Sequence, residues 1–138
     1  MAQRPGVPCV LVDVNYLNRI AMTDITDRKD IMELVDSFYS KVTNDDVLEP
    51  IFRHVNWPKH IPTMYNFWSS MLLGDQTYQG NPFEKHIHLK IDSTHFNRWL
   101  ELFTHNVDEH FTGARADEAK SRAVTIAGVF QHKLGLLS

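Results

Sequence analysis

The chain has 138 residues, 43% of them apolar and 22% charged, with a formal net charge of −3 and eight histidines. That length suits one folded domain, and the charge balance, with no basic stripe, argues against a nucleic-acid partner. A single cysteine, Cys9, excludes an intrachain disulfide framework and a Cys-rich zinc site, and no apolar run is long enough to span a membrane.

Residues 1–25 read as an N-terminal extension, because Pro5, Gly6 and Pro8 discourage regular structure. Val10, Val12 and Val14 alternate as in an extended segment, while Tyr16 to Met22 could instead form a short helix. The Val7–Val14 run, broken by Pro8 and Asp13, lacks the features of a secretory signal. A cytoplasmic location is expected, since one cysteine suits a reducing compartment.

The body, residues 26–138, is expected to be all-α. Asp27 is the expected N-cap of the first helix, with Asp30 as its capping-box partner. Ile31, Leu34, Val35, Phe38 and Val42 then follow helical spacing, and Met32 and Tyr39 widen the stripe. A short second helix is expected over 45–54, limited by Pro50.

Asn56 is the candidate cap of a third helix, in which Pro62 limits where the regular ladder begins. His60, Met64, Phe67, Trp68 and Met71 share one face, and Gly74 ends the helix. After a loop over 75–82, a short helix near 83–88 carries His86. Asp92 or Ser93 caps a long helix with the stripe Phe96, Trp99, Leu100, Phe103, Val107 and Phe111. A last helix over 115–134 buries Ala119, Ala123, Ile126, Ala127 and Phe130, and Gly135 stops it.

No nucleophile elbow, phosphate-cradling glycine loop or His-Glu-x-x-His motif occurs. What remains is Tyr39 and Trp99 on the inner stripes of two helices, His60 at the opening of a third and His86 on a short helix after a loop; taken alone, each histidine reads as a surface residue and each aromatic as plain core. By spacing alone these fit a plain helical domain or a metal-binding one, in which His86 and His88 could be half of a zinc or non-haem iron site, with His95 as a further candidate ligand. A helical interaction module without a cofactor also stays open.

Several stretches resemble the group III truncated haemoglobins. They are Phe38-Tyr39 with Lys41-Val42 and Pro50-Ile51-Phe52; Trp57-x-x-His60 with Asn66-Phe67-Trp68 and Met71-Leu72-Leu73-Gly74; Tyr78-x-Gly80-x-Pro82 with Lys85-His86; and Trp99-Leu100. They occur in order between about residues 27 and 134. The resemblance implies a truncated globin-like two-over-two helical sandwich around haem b (iron protoporphyrin IX). It implies His86 as the proximal iron ligand, with Tyr39, Trp99 and His60 on the distal side. Phe52 would wedge the haem edge, Met64 and Phe67 would line the distal wall, and Phe38 is counted with these pocket residues. Lys85, Lys59 and Arg53 are candidate partners of the haem carboxylates.

The implied function is reversible binding of O₂ and other small ligands (NO, CO, cyanide, sulfide) at an open sixth iron position. The alternative is a haem enzyme, an NO dioxygenase, nitrite reductase or peroxidase, which would need an external reductase because the chain carries no flavin or nicotinamide motif. A monomer is expected, and oxygen transport is one role such a carrier could serve.

Overall fold

A computed structural model describes residues 22–80 and 90–136. These residues form five helices and no strand: α1 (Arg28–Thr43), α2 (Glu49–Phe52), α3 (Trp57–Leu73), α4 (Ser93–His110) and α5 (Ala114–Lys133). The expected short helix around His86 lies outside the described residues. Helix α1 packs on α3 and on α4, and α4 packs on α5, so two helix pairs meet along the α1–α4 seam. This is the expected all-helical sandwich.

Helix α1 starts where the sequence places it. The Asp27 carboxylate accepts the backbone N–H of Asp30, a cap of about 1 kcal/mol. The reciprocal contact sits one residue earlier than in a standard capping box: Asp30 accepts from the backbone and hydroxyl of Thr26. Ile31, Leu34, Val35, Phe38, Tyr39 and Val42 are buried along one face. Met32, expected to widen that stripe, is instead exposed, because Ile31, Val35 and Phe38 already turn the helix inward on a different side.

The expected helix over 45–54 shrinks to the four residues of α2. The Asp45 carboxylate accepts the backbone N–H groups of Val47 and Leu48, both at 3.1 Å. It thereby holds the preceding residues in a turn that competes with the helical ladder. In α3, Pro62 stands inside the helix rather than marking where its ladder starts, since His60 N–H already bonds the Asn56 carbonyl at 2.8 Å. Both Pro58 and Pro62 lie on the exposed face, where the missing N–H leaves a carbonyl that water can satisfy. Gly74 ends α3 in the left-handed conformation (φ 72°), donating its N–H to Ser70.

Asp92 caps α4, and His95 Nδ1 returns the contact to the Asp92 backbone N–H. Helix α5 has no side-chain cap of its own. Asp24 supplies one from the other end of the chain, accepting the N–H groups of Arg115 and Ala116 at 2.9 Å each. Gly113, at φ 141°, brings the backbone so close to Asp24 that a Cβ there would fall 2.5 Å from its carboxyl carbon. Ile25 is fully buried, and Thr23 accepts a hydrogen bond from the Thr112 backbone. Thr23 to Ile25 are therefore part of the packed body.

Ala116, Ala119, Ala123 and Ala127 are all buried on α5, and these small side chains let it approach α4 closely. Ile126 and Phe130, expected in the core, are only half-buried. At the α1–α4 seam, Asn106 is sealed from solvent, donates to the Leu34 carbonyl and accepts from Lys41. These bonds offset the cost of burying an amide.

Candidate functional site

The core aromatics are stacked in a way that leaves a cavity beside them. Phe103 is held between two indoles, with ring centroids 4.8 Å from Trp68 and 5.6 Å from Trp99, both nearly parallel. Phe38 meets Tyr39, Trp99 and Phe103 edge-on at 5.0, 5.9 and 5.2 Å. Such arrangements add about 0.5–1.5 kcal/mol per pair beyond burial. They also fix the tilt of Tyr39 and Trp99, whose other edges face the cavity.

That cavity is largely apolar, and part of it is open to solvent. Every helix contributes to its wall. Tyr39 comes from α1, Ile51 and Phe52 from α2, Met64, Phe67 and Trp68 from α3, His95, Phe96 and Trp99 from α4, and Ile126, Ala127 and Phe130 from α5, with Leu48 and Ile91 from the connections. The lining is almost wholly apolar, and the lining residues with polar side-chain atoms are Tyr39, His95, Trp68 and Trp99.

Tyr39 is buried within a ring of aromatics, with Trp57 and His60 both edge-on at 5.3 and 5.2 Å. Its hydroxyl lies 3.2 Å from His60 Nε2. Burial pushes the Tyr39 phenol far above its ordinary range, so it stays a neutral O–H. When His60 Nε2 carries the proton, it donates to the Tyr39 oxygen and leaves the phenolic O–H to point elsewhere. Within the described residues, no hydrogen bond engages the Trp99 indole.

Of the residues singled out from the sequence, Tyr39, Trp99, Phe52, Met64 and Phe67 all line this one cavity. His60 does not line it and reaches it through Tyr39. Phe38 stands behind the wall, supporting Tyr39 and Trp99. Arg53 is engaged by Glu49 at 2.7 Å, and Lys59 is exposed. His86 and Lys85 lie outside the described residues, as does His88. Among the described residues no three His, Cys, Asp or Glu side chains cluster as a metal site, and no helix is long and apolar enough to cross a membrane.

Sequence reasoning missed the contributions of Leu48, Ile51 and Ile91 to this wall, and named His95 only as a candidate ligand of a zinc or non-haem iron site. The first two depend on the turn that Asp45 imposes. His95 occupies the capping-box position where glutamate or glutamine is the usual signal, so its cap, and with it its orientation, left no recognisable pattern.

A mostly apolar ligand with a few polar atoms suits this wall, which every described helix helps to form. The comparisons with known proteins point the same way. A family model described as bacterial-like globin matches residues 23–131. A group 3 truncated hemoglobin from Campylobacter jejuni is 33% identical over 114 residues, covering 78% of this chain and 90% of that protein. The crystal structure of a group III truncated hemoglobin from Campylobacter jejuni superposes with a TM-score of 0.76 at 32% identity. It covers 82% of this chain and 94% of that one.

Proposed function

The chain belongs to the group III truncated haemoglobins, a family that implies a haem-binding globin, and from this premise we propose that it holds haem b in the cavity and binds small ligands there, O₂ among them. His86 is the proposed iron ligand, through a neutral imidazole nitrogen. The haem would supply the ligand-binding and redox chemistry, with one face of the iron left open.

The chain's own residues would set what that chemistry does. Tyr39 contributes a buried neutral O–H, and its pairing with His60 at 3.2 Å is the observation that carries the reading. A phenol so deeply desolvated is stable only with partners, and a polar ligand in the cavity is a second one. Trp99 lines the same cavity, and its indole N–H would be a second donor. Two donors in an apolar slot favour a ligand that gathers negative charge and slow its escape. The protein would thus be a tight binder of O₂ or a small anion, poorly suited to unloading O₂.

A visible spectrum tests the reading. Purified protein, or protein given haemin, should show an intense Soret band, and a chain that stays colourless with added haemin would overturn the haem assignment. His86→Ala should lose haemin or weaken its hold. A normal ferric and ferrous spectrum in that variant would move the iron ligand to another residue.

A further inference from the structure

We propose that His95 is a second haem-contacting residue, donating its Nε2–H to a carboxylate of the bound haem. The inference rests on the haem reading above but concerns a residue that neither the family resemblance nor the distal donors involve.

His95 lines the cavity one helical turn before Trp99. Its Nδ1 is committed to the start of α4, 3.0 Å from the Asp92 backbone nitrogen and 3.1 Å from the Asp92 carboxylate. Both contacts lead to the same protonation at the far side of the ring. If Nδ1 accepts the Asp92 N–H, the neutral ring must carry its proton on Nε2. If the ring is cationic and Nδ1 donates to the carboxylate, Nε2 carries a proton as well. Only the tautomer that breaks the capping box would leave Nε2 bare.

Nε2 has no hydrogen-bond partner among the described residues. The ring is therefore a fixed donor beside an apolar cavity, and it is poorly placed to ligate a metal while it caps α4. A donor in such a wall calls for an acceptor on the ligand. On haem b the acceptors at the periphery are its two carboxylates, and a hydrogen bond to a charged oxygen is among the stronger kind.

The capping role provides a clean test. Glutamate at this helix position preserves the capping box but replaces the donor with an anion. Haemin release from the loaded protein is followed by transfer to an excess of acceptor apoglobin, using haemin and its dimethyl ester. His95→Glu should release haemin about tenfold faster or more, while its apo form unfolds at the same urea midpoint as the parent. His95→Gln keeps both the cap and an N–H donor, so it should release haemin at a rate nearer the parent's, and it carries the test alone if the glutamate variant fails to fold. With the dimethyl ester, which lacks the anionic oxygens, the parent and His95→Glu should release at the same rate. Unchanged haemin release in His95→Glu overturns the proposal, and so does an acceleration that persists undiminished with the ester. A parent chain that takes up no haemin shows no Soret band, which marks the failure of the haem reading itself.

Discussion

Replacing Tyr39 with phenylalanine removes one oxygen and leaves the packing intact. The ring sits among Phe38, Phe52, Trp57 and His60 with centroid separations of 5.0 to 6.1 Å, and a phenyl ring fills the same space. No cavity term is therefore expected, and the change is confined to the hydroxyl. In the unliganded protein the loss is the contact with His60 at 3.2 Å, a net bond worth about 0.5–1.5 kcal/mol. The desolvation of the hydroxyl is relieved at the same time, so stability should move by less than about 1 kcal/mol. With a ligand present the lost bond is to an atom gathering charge, where roughly 1.5–3 kcal/mol is at stake. That corresponds to dissociation faster by about ten- to a hundredfold. Association should change little, since the bond from the hydroxyl acts mainly on how fast a bound ligand leaves. Stopped-flow displacement of O₂ by CO, with flash-photolysis rebinding for the on-rate, separates the two. If Tyr39→Phe releases O₂ at the parental rate, the hydroxyl is not a ligand donor and the distal reading fails.

Two further outcomes follow from the fold. Asp45 is 7% exposed yet ionised, held by Arg98 at 2.6 and 2.7 Å and by two backbone N–H groups. Burial alone would raise its pKa, and these partners outweigh that and hold it below the ordinary aspartate value. A depressed acid stabilises the fold fully above the unfolded pKa of about 3.9 and loses that contribution as pH falls through the folded value. Asp45→Asn should therefore be destabilised at pH 6, by about 2–3 kcal/mol given the partial exposure of Arg98. The gap should close as pH falls below the unfolded value and on through the lower folded one, as read by urea unfolding across pH. Asp24→Ala should cost about 1–2 kcal/mol, because it strips the N-terminus of α5 of its cap; amide hydrogen exchange should rise at Ala116 and its neighbours, and unchanged exchange there would show that the cap is dispensable.

The helices were legible because each carries an apolar stripe with helical spacing, and Asp27, Gly74 and Asp92 mark ends by local chemistry alone. What escaped depends on residues distant in sequence or on an unusual partner. The shortness of α2 follows from one carboxylate, Asp45, serving Val47, Leu48 and Arg98 together. The cap of α5 comes from Asp24, about ninety residues away, through a close approach that only Gly113 permits. The pairing of His60 with Tyr39 depends on how α3 lies against α1, which no spacing rule encodes. Ile126 and Phe130 keep the helical period of a core stripe, yet the stripe there faces a cavity, and apolar periodicity reads the same for both.

The donors in the cavity are held from behind rather than by one another. Trp99 is fixed by its stack on Phe103, itself stacked on Trp68 from α3. Tyr39 is fixed by Phe38, which also braces Trp99. The seam that keeps Phe38 and Phe103 facing each other is locked by Asn106 bonding across from α4 to the Leu34 carbonyl on α1. Each of these contacts is made between groups of the chain, so the packing behind Tyr39 and Trp99 restrains both rings. Preorganised donors lose little entropy when a ligand arrives, and the interaction they make is expressed mainly in how slowly the ligand leaves. His95 belongs to the same scheme, since its cap on α4 restrains the ring. The short helix α2 stands apart. It brings Ile51 and Phe52 to the wall, but it is four residues long and tied to α4 chiefly through Asp45 and Arg98. Packing holds it as well, through buried Leu48 at its start and Phe52 against Tyr39 and Trp57.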